Sequence, residues 1–162
     1  MARVATQRAF PFPAATPLEL PAPPAPRLRL VPGGTGRGIM DGGWWPRSRD
    51  ADAELTGLLT ALARADRLPD RVTRVAIDFD DWDDSPLRIS VLGREVRVHW
   101  LAHLDHMVAI TCGRADPLLL LVVPPGTRPS AAKAALARSV VEAGDVMPQE
   151  ILASCDISTV RA

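Results

Sequence analysis

The run Leu118–Val123, LLLLVV, constrains the fold of this chain more than any other segment. Neighbouring side chains of a strand point to opposite faces of a sheet, so this run has hydrophobic groups on both faces. The strand must therefore lie in a sheet that is covered on both sides. We expect something besides the predicted helices to cover the second face: the chain's own ends, a partner subunit or a ligand.

Alternation of polar and apolar residues predicts further strands elsewhere in the chain. These strands are residues 27–31, 72–79 and 107–112. Within the second of them, the pattern assigns one set of side chains to the core. That set is Thr73, Val75, Ile77 and Phe79.

A hairpin is predicted for residues 87–92 and 95–100, which flank Gly93-Arg94. Glycine at the first central position suits a two-residue turn of type II′. With that turn, Arg88 faces His99 and Leu87 faces Trp100. Six side chains then share the buried face: Leu87, Ile89, Val91, Val96, Val98 and Trp100.

Two helices are predicted from periodicity and end signals. Leu55, Leu58, Leu59 and Leu62 recur at helical spacing and predict a helix over residues 51–65, with Asp50 as its N-cap. A second helix is expected from Ser130, as its cap, to about residue 143. The element order β-α-β-β-β-β-α predicts an α+β fold with a largely antiparallel sheet of about five strands and two packed helices.

The chain is expected to form a single domain, since its 162 residues are 47% hydrophobic. Seven prolines between positions 11 and 26 favour a disordered or polyproline II arm over residues 1–26. The domain then covers residues 27–143. Residues 144–162 show no strong periodicity and are expected to be a weakly structured tail.

The charge balance argues against two classes of partner. Nineteen basic and nineteen acidic residues cancel, so no global field attracts nucleic acid or an anionic membrane.

The first residues contain no continuous apolar stretch that would make a signal peptide, and no window resembles a membrane span. Two separated cysteines suggest free thiols. We therefore expect a cytoplasmic protein.

The segment DGGWWPRSRD at residues 41–50 is the best candidate site. One of Trp44 and Trp45 is expected to anchor the core, and the other to stack under a guanidinium or a planar ligand. Arg47 and Arg49 are expected to cap carbonyl groups, pair with aspartates or bind a ligand. The Asp41 carboxylate could hold either arginine in place.

Several segments, in order, carry a resemblance to a known family. They are RLRLV, GTGRGIMDGGWWPRSRD, WDDSP, VRVHW, the Asp105-His106 pair and DPLLLLVVPPGT. Together they resemble an uncharacterised family of small actinomycete proteins with a Trp-Trp-Pro-Arg-Ser-Arg-Asp signature. The similarity spans roughly residues 27–143 and implies a bacterial cytosolic protein. The family has no assigned activity, so the resemblance supplies no catalytic residue.

Other motifs fail the tests for specific chemistry. The loop PGGTGRG does not have the glycine spacing of a nucleotide-binding motif. The turn DFDDWDDS has neither the glycine nor the closing acid of an EF-hand, which favours a solvated acidic turn. His99, His103 and His106 do not lie on one element. The sequence thus predicts no catalytic residue, no metal and no cofactor.

Two hypotheses for function remain. The favoured one is a non-enzymatic binding or interaction protein that uses the corner from Trp44 to Arg49 as its contact site, with a second copy of the chain or an unknown protein as its partner. A polar sheet face would contribute to this contact through Arg74, Arg88, Arg97 and His99. The alternative is a small enzyme or sensor for an anionic small molecule, clamped by Arg37, Arg47 and Arg49, with Asp41 or His106 as its acid-base group.

Overall fold

The computed structural model of the protein describes residues 24–33, 38–102 and 104–159. Within these residues it has one sheet of seven strands and three α-helices. The strands are β1 Arg27–Leu30, β2 Gly42–Trp45, β3 Val72–Ile77, β4 Arg88–Val91, β5 Arg94–Trp100, β6 Met107–Cys112 and β7 Leu118–Val122. The helices are α1 Ala51–Arg64, α2 Pro129–Val141 and α3 Pro148–Ser154.

The sheet is mixed and has the strand order β1-β2-β7-β6-β3-β5-β4. The pairs β2–β7 and β3–β5 are parallel, and the other neighbouring strands are antiparallel. The α+β prediction is confirmed, but the expected number of about five strands is wrong. Strand β2 was missed because GGWW has neither polar–apolar alternation nor residues that favour strands at its first two positions.

Helices cover both faces of β7, as its apolar run requires. Leu120 and Val122 belong to the core that α1 covers, whereas Leu121 and Val123 pack in a second core with α2 and α3. The chain's own C-terminal segment therefore supplies part of the second cover, which was one of the expected alternatives. The described part of the C-terminal segment, residues 144–159, contains α3, whose Ile151 is fully buried.

The first helix forms where the sequence predicts it. Asp50 is the N-cap of α1, and its Oδ1 accepts a hydrogen bond from the Ala53 N–H at 3.1 Å. The predicted cap of the second helix is wrong. Helix α2 begins at Pro129 with Arg128 as its N-cap, because the fixed φ of proline suits the first helical position.

The β4–β5 hairpin has a different register from the predicted one. Val91 pairs with Arg94, so the turn residues are Leu92 and Gly93 rather than Gly93 and Arg94. Both turn residues have positive φ, at 49° and 75°, as a type I′ turn requires. The shift of the pairing is even-numbered, so it preserves the faces of the strands. Ile89, Val91, Val96 and Val98 are buried as predicted.

Four side chains assigned to the core from the sequence lie at the surface. Leu87 and Trp100 are 73% and 56% exposed, because the shifted register leaves Leu87 outside β4 and Trp100 beyond the residues of β5 that pair with β4. Thr73 is exposed since the pairing of β3 with β6 shifts between Val72 and Arg74. Phe79 lies past the end of β3, is 55% exposed and contacts the Trp100 ring.

The predicted N-terminal arm lies almost wholly outside the described residues, which begin at position 24. In the described part of the chain, none of the helices has the length and apolar character needed to cross a bilayer.

Candidate functional site at the carboxyl edge

Four strands end at one edge of the sheet. Because β2–β7 and β3–β5 are parallel pairs and β6 is antiparallel to both β3 and β7, the strands β2, β3, β5 and β7 all point the same way. The loops after these strands meet at this edge, which we call the carboxyl edge. In open α/β sheets, ligands bind outside the carboxyl ends of the strands.

The two tryptophans of β2 anchor this edge from opposite sides of the sheet. Trp44 is 1% exposed and its ring centroid lies 5.6 Å from that of Trp82 in the core under α1. Trp45 is 7% exposed and packs in the core under α2, where its Nε1–H donates to the Pro125 carbonyl at 3.3 Å. Both indoles are core anchors, since both faces of β2 are covered.

The guanidinium that stacks on an indole comes from β1. Arg27 lies over the Trp45 ring, with its Cζ 3.4 Å from the ring centroid. The same side chain donates to the Trp45 and Pro46 carbonyls at 3.0 and 2.8 Å. Neither Arg47 nor Arg49 was the stacking partner, and the sequence offered no signal for Arg27 because β1 and β2 pair across a long loop.

The other candidate residues of the corner occupy separate positions. Asp41 is buried and its Oδ2 accepts from the Leu119 N–H at 2.8 Å, so the carboxylate ties the start of β2 to β7 rather than holding an arginine. Arg47 is exposed and donates to the Ala25 carbonyl at 3.1 Å. Arg37 lies outside the described residues. Arg49 points toward the acidic turn and donates to the Asp81 carbonyl at 3.1 Å.

An Asp–His cluster lies beside Arg49. Asp78 and Asp81 follow β3, His106 precedes β6, and the His106 Nδ1 is 2.9 Å from the Asp81 Oδ1. Asp78 is held by two backbone donors, because its Oδ1 accepts from the Asp80 N–H and its Oδ2 accepts from the His106 N–H. The expectation of a wholly solvated acidic turn is therefore wrong for Asp78 and Asp81, which are both 9% exposed.

Burial and their mutual hydrogen bond shift the pKa values of Asp81 and His106. Burial raises the pKa of Asp81 above its ordinary value, and the hydrogen bond from His106 opposes that shift. The hydrogen bond to Asp81 is the main reason that the pKa of His106 is raised, although burial opposes it. Protonated His106 next to ionised Asp81 is the charge state that this geometry favours.

One oxygen of the cluster remains without a partner. The Asp81 Oδ2 and the Trp82 Nε1 are buried and have no hydrogen-bond partner among the described residues. A buried unpaired polar group costs about 1–3 kcal/mol, so native proteins seldom contain one without a water, ion or function to explain it.

A cleft of about 770 Å³ opens next to Arg49, and we call it the edge cleft. Helix α2 begins at this cleft, and no side chain of the described residues caps its first turn. Pro129 has no N–H, and the Ala132 N–H donates to the Arg128 carbonyl at 2.9 Å, which leaves the Ser130 and Ala131 N–H groups without a partner within the helix, at the positive end of its dipole. The lining includes Arg49, Asp83, Thr127, Arg128, Ala131 and Asp156.

Sequence reasoning missed Asp78, Asp81 and Arg128 as site residues and named His106 only as an alternative acid-base group. The sequence contained one indication of this cluster: Asp78 comes directly after one strand, and His106 comes directly before another strand. These positions alone could not predict that the two residues meet, because only the strand order shows that β3 lies next to β6.

Comparison with known proteins identifies a family. The model of a family of unknown function (DUF5994) matches residues 27–139, and the chain belongs to this family. The predicted resemblance to a family without assigned activity is thereby confirmed. Neither the curated proteins nor the solved structures give a significant match to the chain.

Proposed function

We propose that the protein binds an anionic small molecule in the edge cleft. The acidic group of the ligand would contact Arg49 and Arg128, next to the first turn of α2. This combination of two guanidinium groups and free helix N–H groups is suited to a phosphate or a carboxylate. Of the predicted clamp of Arg37, Arg47 and Arg49, the proposal keeps Arg49 and adds Arg128; Arg47 is left out because it does not line the edge cleft, and Arg37 lies outside the described residues.

The position of Arg49 is the observation that carries this proposal. Arg49 lines the edge cleft, and its Nη1 donates a hydrogen bond to the Asp81 carbonyl at 3.1 Å. The side chain is half-buried, so its conformation is restricted before a ligand arrives. A pre-organised side chain loses less entropy on binding than a free one.

The other lining groups indicate what else the ligand carries. Asp83 and Asp156 also line the edge cleft, so its charge is not uniformly positive. Hydroxyl or amino groups on the ligand would donate hydrogen bonds to such carboxylates. A sugar phosphate, a nucleotide or an amino-acid-like metabolite fits this lining better than a bare inorganic anion.

The tryptophan corner, residues 44–49, supports the edge cleft structurally. Trp44 and Trp45 are buried, so they provide no contact surface, but they fix the end of β2 from which Arg47 and Arg49 extend. The contact surface of the corner is therefore its arginine end.

A thermal-shift screen with sugar phosphates, nucleotides and acidic amino acids tests the proposal. A ligand that binds the folded state raises the melting temperature. For such a ligand, we expect Arg49→Gln and Arg128→Gln to abolish most of the shift. Arg47→Gln is the matched control, because Arg47 is two residues away and does not line the edge cleft. An equal loss in all three variants, or no stabilising compound in the screen, would contradict the proposal.

A second candidate function rests on the polar face of β3, β5 and β4, where the described residues place no helix. Arg74 pairs with Arg97, and Arg97 pairs with Arg88, so three arginines lie in register across β3, β5 and β4. We call this row the Arg face. Like charges directly opposite each other are destabilising, and the ion pair between Arg88 and Glu95 at 3.2 Å offsets part of this repulsion. Such a row is suited to binding an acidic segment of a partner protein, and α2 leaves it open because α2 packs on β1 and β2.

A further inference from the structure

The carboxyl edge contains a set of side chains that could bind a metal ion, independently of the edge cleft. Asp78, Asp81 and His106 each offer one ligand atom, and these atoms all lie within 4.8 Å of one another. Ligands of a tetrahedral ion with bonds of about 2.0–2.2 Å lie about 3.3–3.6 Å apart, so side-chain adjustments of about 1 Å would bring the three atoms onto one ion. We propose that Asp78, Asp81 and His106 bind a divalent transition-metal cation such as Zn²⁺.

The unpartnered oxygen of Asp81 supports this site separately from the clustering. Asp81 is 9% exposed, and its Oδ2 has no hydrogen-bond partner in the described part of the chain. The hydrogen bond with His106 uses the other oxygen, so it leaves Oδ2 unexplained. A cation at Oδ2 would provide the missing partner of this buried carboxylate.

The backbone already orients the second carboxylate. The Asp80 and His106 N–H groups donate to opposite oxygens of Asp78, at 3.2 and 3.0 Å. Each of these oxygens keeps a second lone pair for a cation. Outer hydrogen bonds of this kind fix the orientation of metal ligands and raise affinity.

The donor set selects the class of metal. Two carboxylates carry two negative charges, which a divalent cation neutralises, and one imidazole nitrogen favours transition metals over Ca²⁺ or Mg²⁺. Metal binding through the His106 ring requires a neutral imidazole, so the ion would compete with the proton that the ring shares with Asp81. Three protein ligands leave further coordination positions for water or a ligand, as in catalytic rather than structural zinc sites.

The main alternative is an internal water molecule. The Trp82 Nε1–H is a buried donor on the residue next to Asp81, and it also has no partner among the described residues. A single water that accepts from Trp82 and donates to the Asp81 Oδ2 would satisfy both atoms without any metal.

Titration of the chelator-treated full chain with Zn²⁺ and Co²⁺ distinguishes these possibilities. Calorimetry gives the Zn²⁺ affinity, and the visible absorption of Co²⁺ reports a nitrogen–oxygen ligand set. The test variants are Asp81→Asn and His106→Asn; asparagine suits position 106 because it tolerates the positive φ of 58° there. Asp80→Asn is the matched control, since Asp80 is exposed in the same turn and outside the cluster.

We expect one Zn²⁺ per chain at this site, at least about tenfold weaker binding in both test variants, and unchanged binding in Asp80→Asn. Circular dichroism checks that each variant is folded. In the wild type, a Zn²⁺-dependent shift of the His106 ring resonances would show metal binding at His106 without any substitution. Three outcomes would overturn the proposal: no binding by the wild type at millimolar metal, equal weakening in Asp80→Asn, or binding that leaves the His106 resonances unchanged.

Failure of this test would not affect the edge cleft. The metal site depends on Asp78, Asp81 and His106, whereas ligand binding in the cleft is tested by Arg49 and Arg128 in metal-free protein.

Discussion

Arg27 stacks on the Trp45 ring at 3.4 Å and donates hydrogen bonds to two carbonyls at the end of the same strand. One side chain thus fastens β1 to the tryptophan corner. We expect Arg27→Gln to lower the free energy of unfolding by about 1–3 kcal/mol, because the stacking and both hydrogen bonds to a charged donor are lost. Urea denaturation measures this change. Arg29→Gln, on an exposed position of the same strand, is expected to have little effect, and equal losses would contradict the role of Arg27.

The first glycine of β2 is required by close backbone packing. Gly42 has a φ of 151°, and a Cβ there would overlap the Arg29 carbonyl oxygen across the β1–β2 pair. We expect Gly42→Ala to destabilise the protein strongly, by several kcal/mol, since backbone atoms cannot move aside. Thermal unfolding measures the loss.

Gly57 gives the opposite prediction and serves as the comparison. It lies inside α1, and a Cβ there would meet no atom within 4 Å. Gly57→Ala should therefore raise the free energy of unfolding by about 0.5–1 kcal/mol, because alanine loses less backbone entropy in a helix. A loss of stability in this variant would show that the helix surface is not open at this position.

The Asp81–His106 pair predicts a pH-dependent stability in metal-free protein. The pKa of His106 is raised in the folded state, mainly by the hydrogen bond to Asp81. Its contribution is fully present below the ordinary histidine pKa of about 6.5, and it is lost as the pH rises through the higher folded value. We expect His106→Asn to cost more stability at pH 6 than at pH 9. Denaturation curves at both pH values, with chelator present, measure the difference.

Asp81→Asn supplies the control for that pH effect. It removes the charged acceptor of the His106 ring, so the pKa of His106 should fall toward its ordinary value in an NMR titration. An unchanged His106 titration in this variant would show that the carboxylate does not control the imidazole.

A charge reversal in the Arg face is expected to change both the stability of the protein and its binding of acidic peptides. Arg97 lies between Arg74 and Arg88, so Arg97→Glu would remove the repulsion and attract Arg74; Arg88 gains less, because it already pairs with Glu95 at 3.2 Å. We expect a gain of about 0.2–1 kcal/mol in stability. If the face binds acidic partners, the same variant should lose retention of a polyglutamate peptide.

Arg94→Glu is the control for the Arg face, since residue 94 lies on the same strand but on the side that holds Val96. Light scattering on the wild type and both variants would also detect self-association. A loss of stability in Arg97→Glu, or equal peptide binding by all three proteins, would contradict the prediction.

Local patterns predicted those parts of the structure that depend on neighbouring residues. The leucine period and the Asp50 cap gave α1 to within one residue of its observed end. Alternation gave the buried face of the β4–β5 hairpin, and it remained correct after the register shift because an even shift preserves the faces. The doubly apolar Leu118–Val123 run required cover on both sides of the sheet, and α1 and α2 with α3 provide it.

Other parts depended on contacts between distant segments. Nothing in GGWW predicts a strand, and β2 forms because β1 and β7 pair with its two edges. The sequence alone allows either Leu92-Gly93 or Gly93-Arg94 as the turn, and the pairing of β4 with β5 selects Leu92-Gly93.

The candidate site shows the same division most clearly. The sequence by itself determined an α+β chain with one strand that is apolar on both faces and a corner rich in tryptophan and arginine. Only the tertiary structure decided that Arg27 stacks on Trp45, that Arg49 reaches Asp81, and that Asp81 meets His106. The reason is physical: periodicity reports which face of an element is buried, but the order of strands in the sheet sets which loops meet, and this order is fixed by packing over the whole chain.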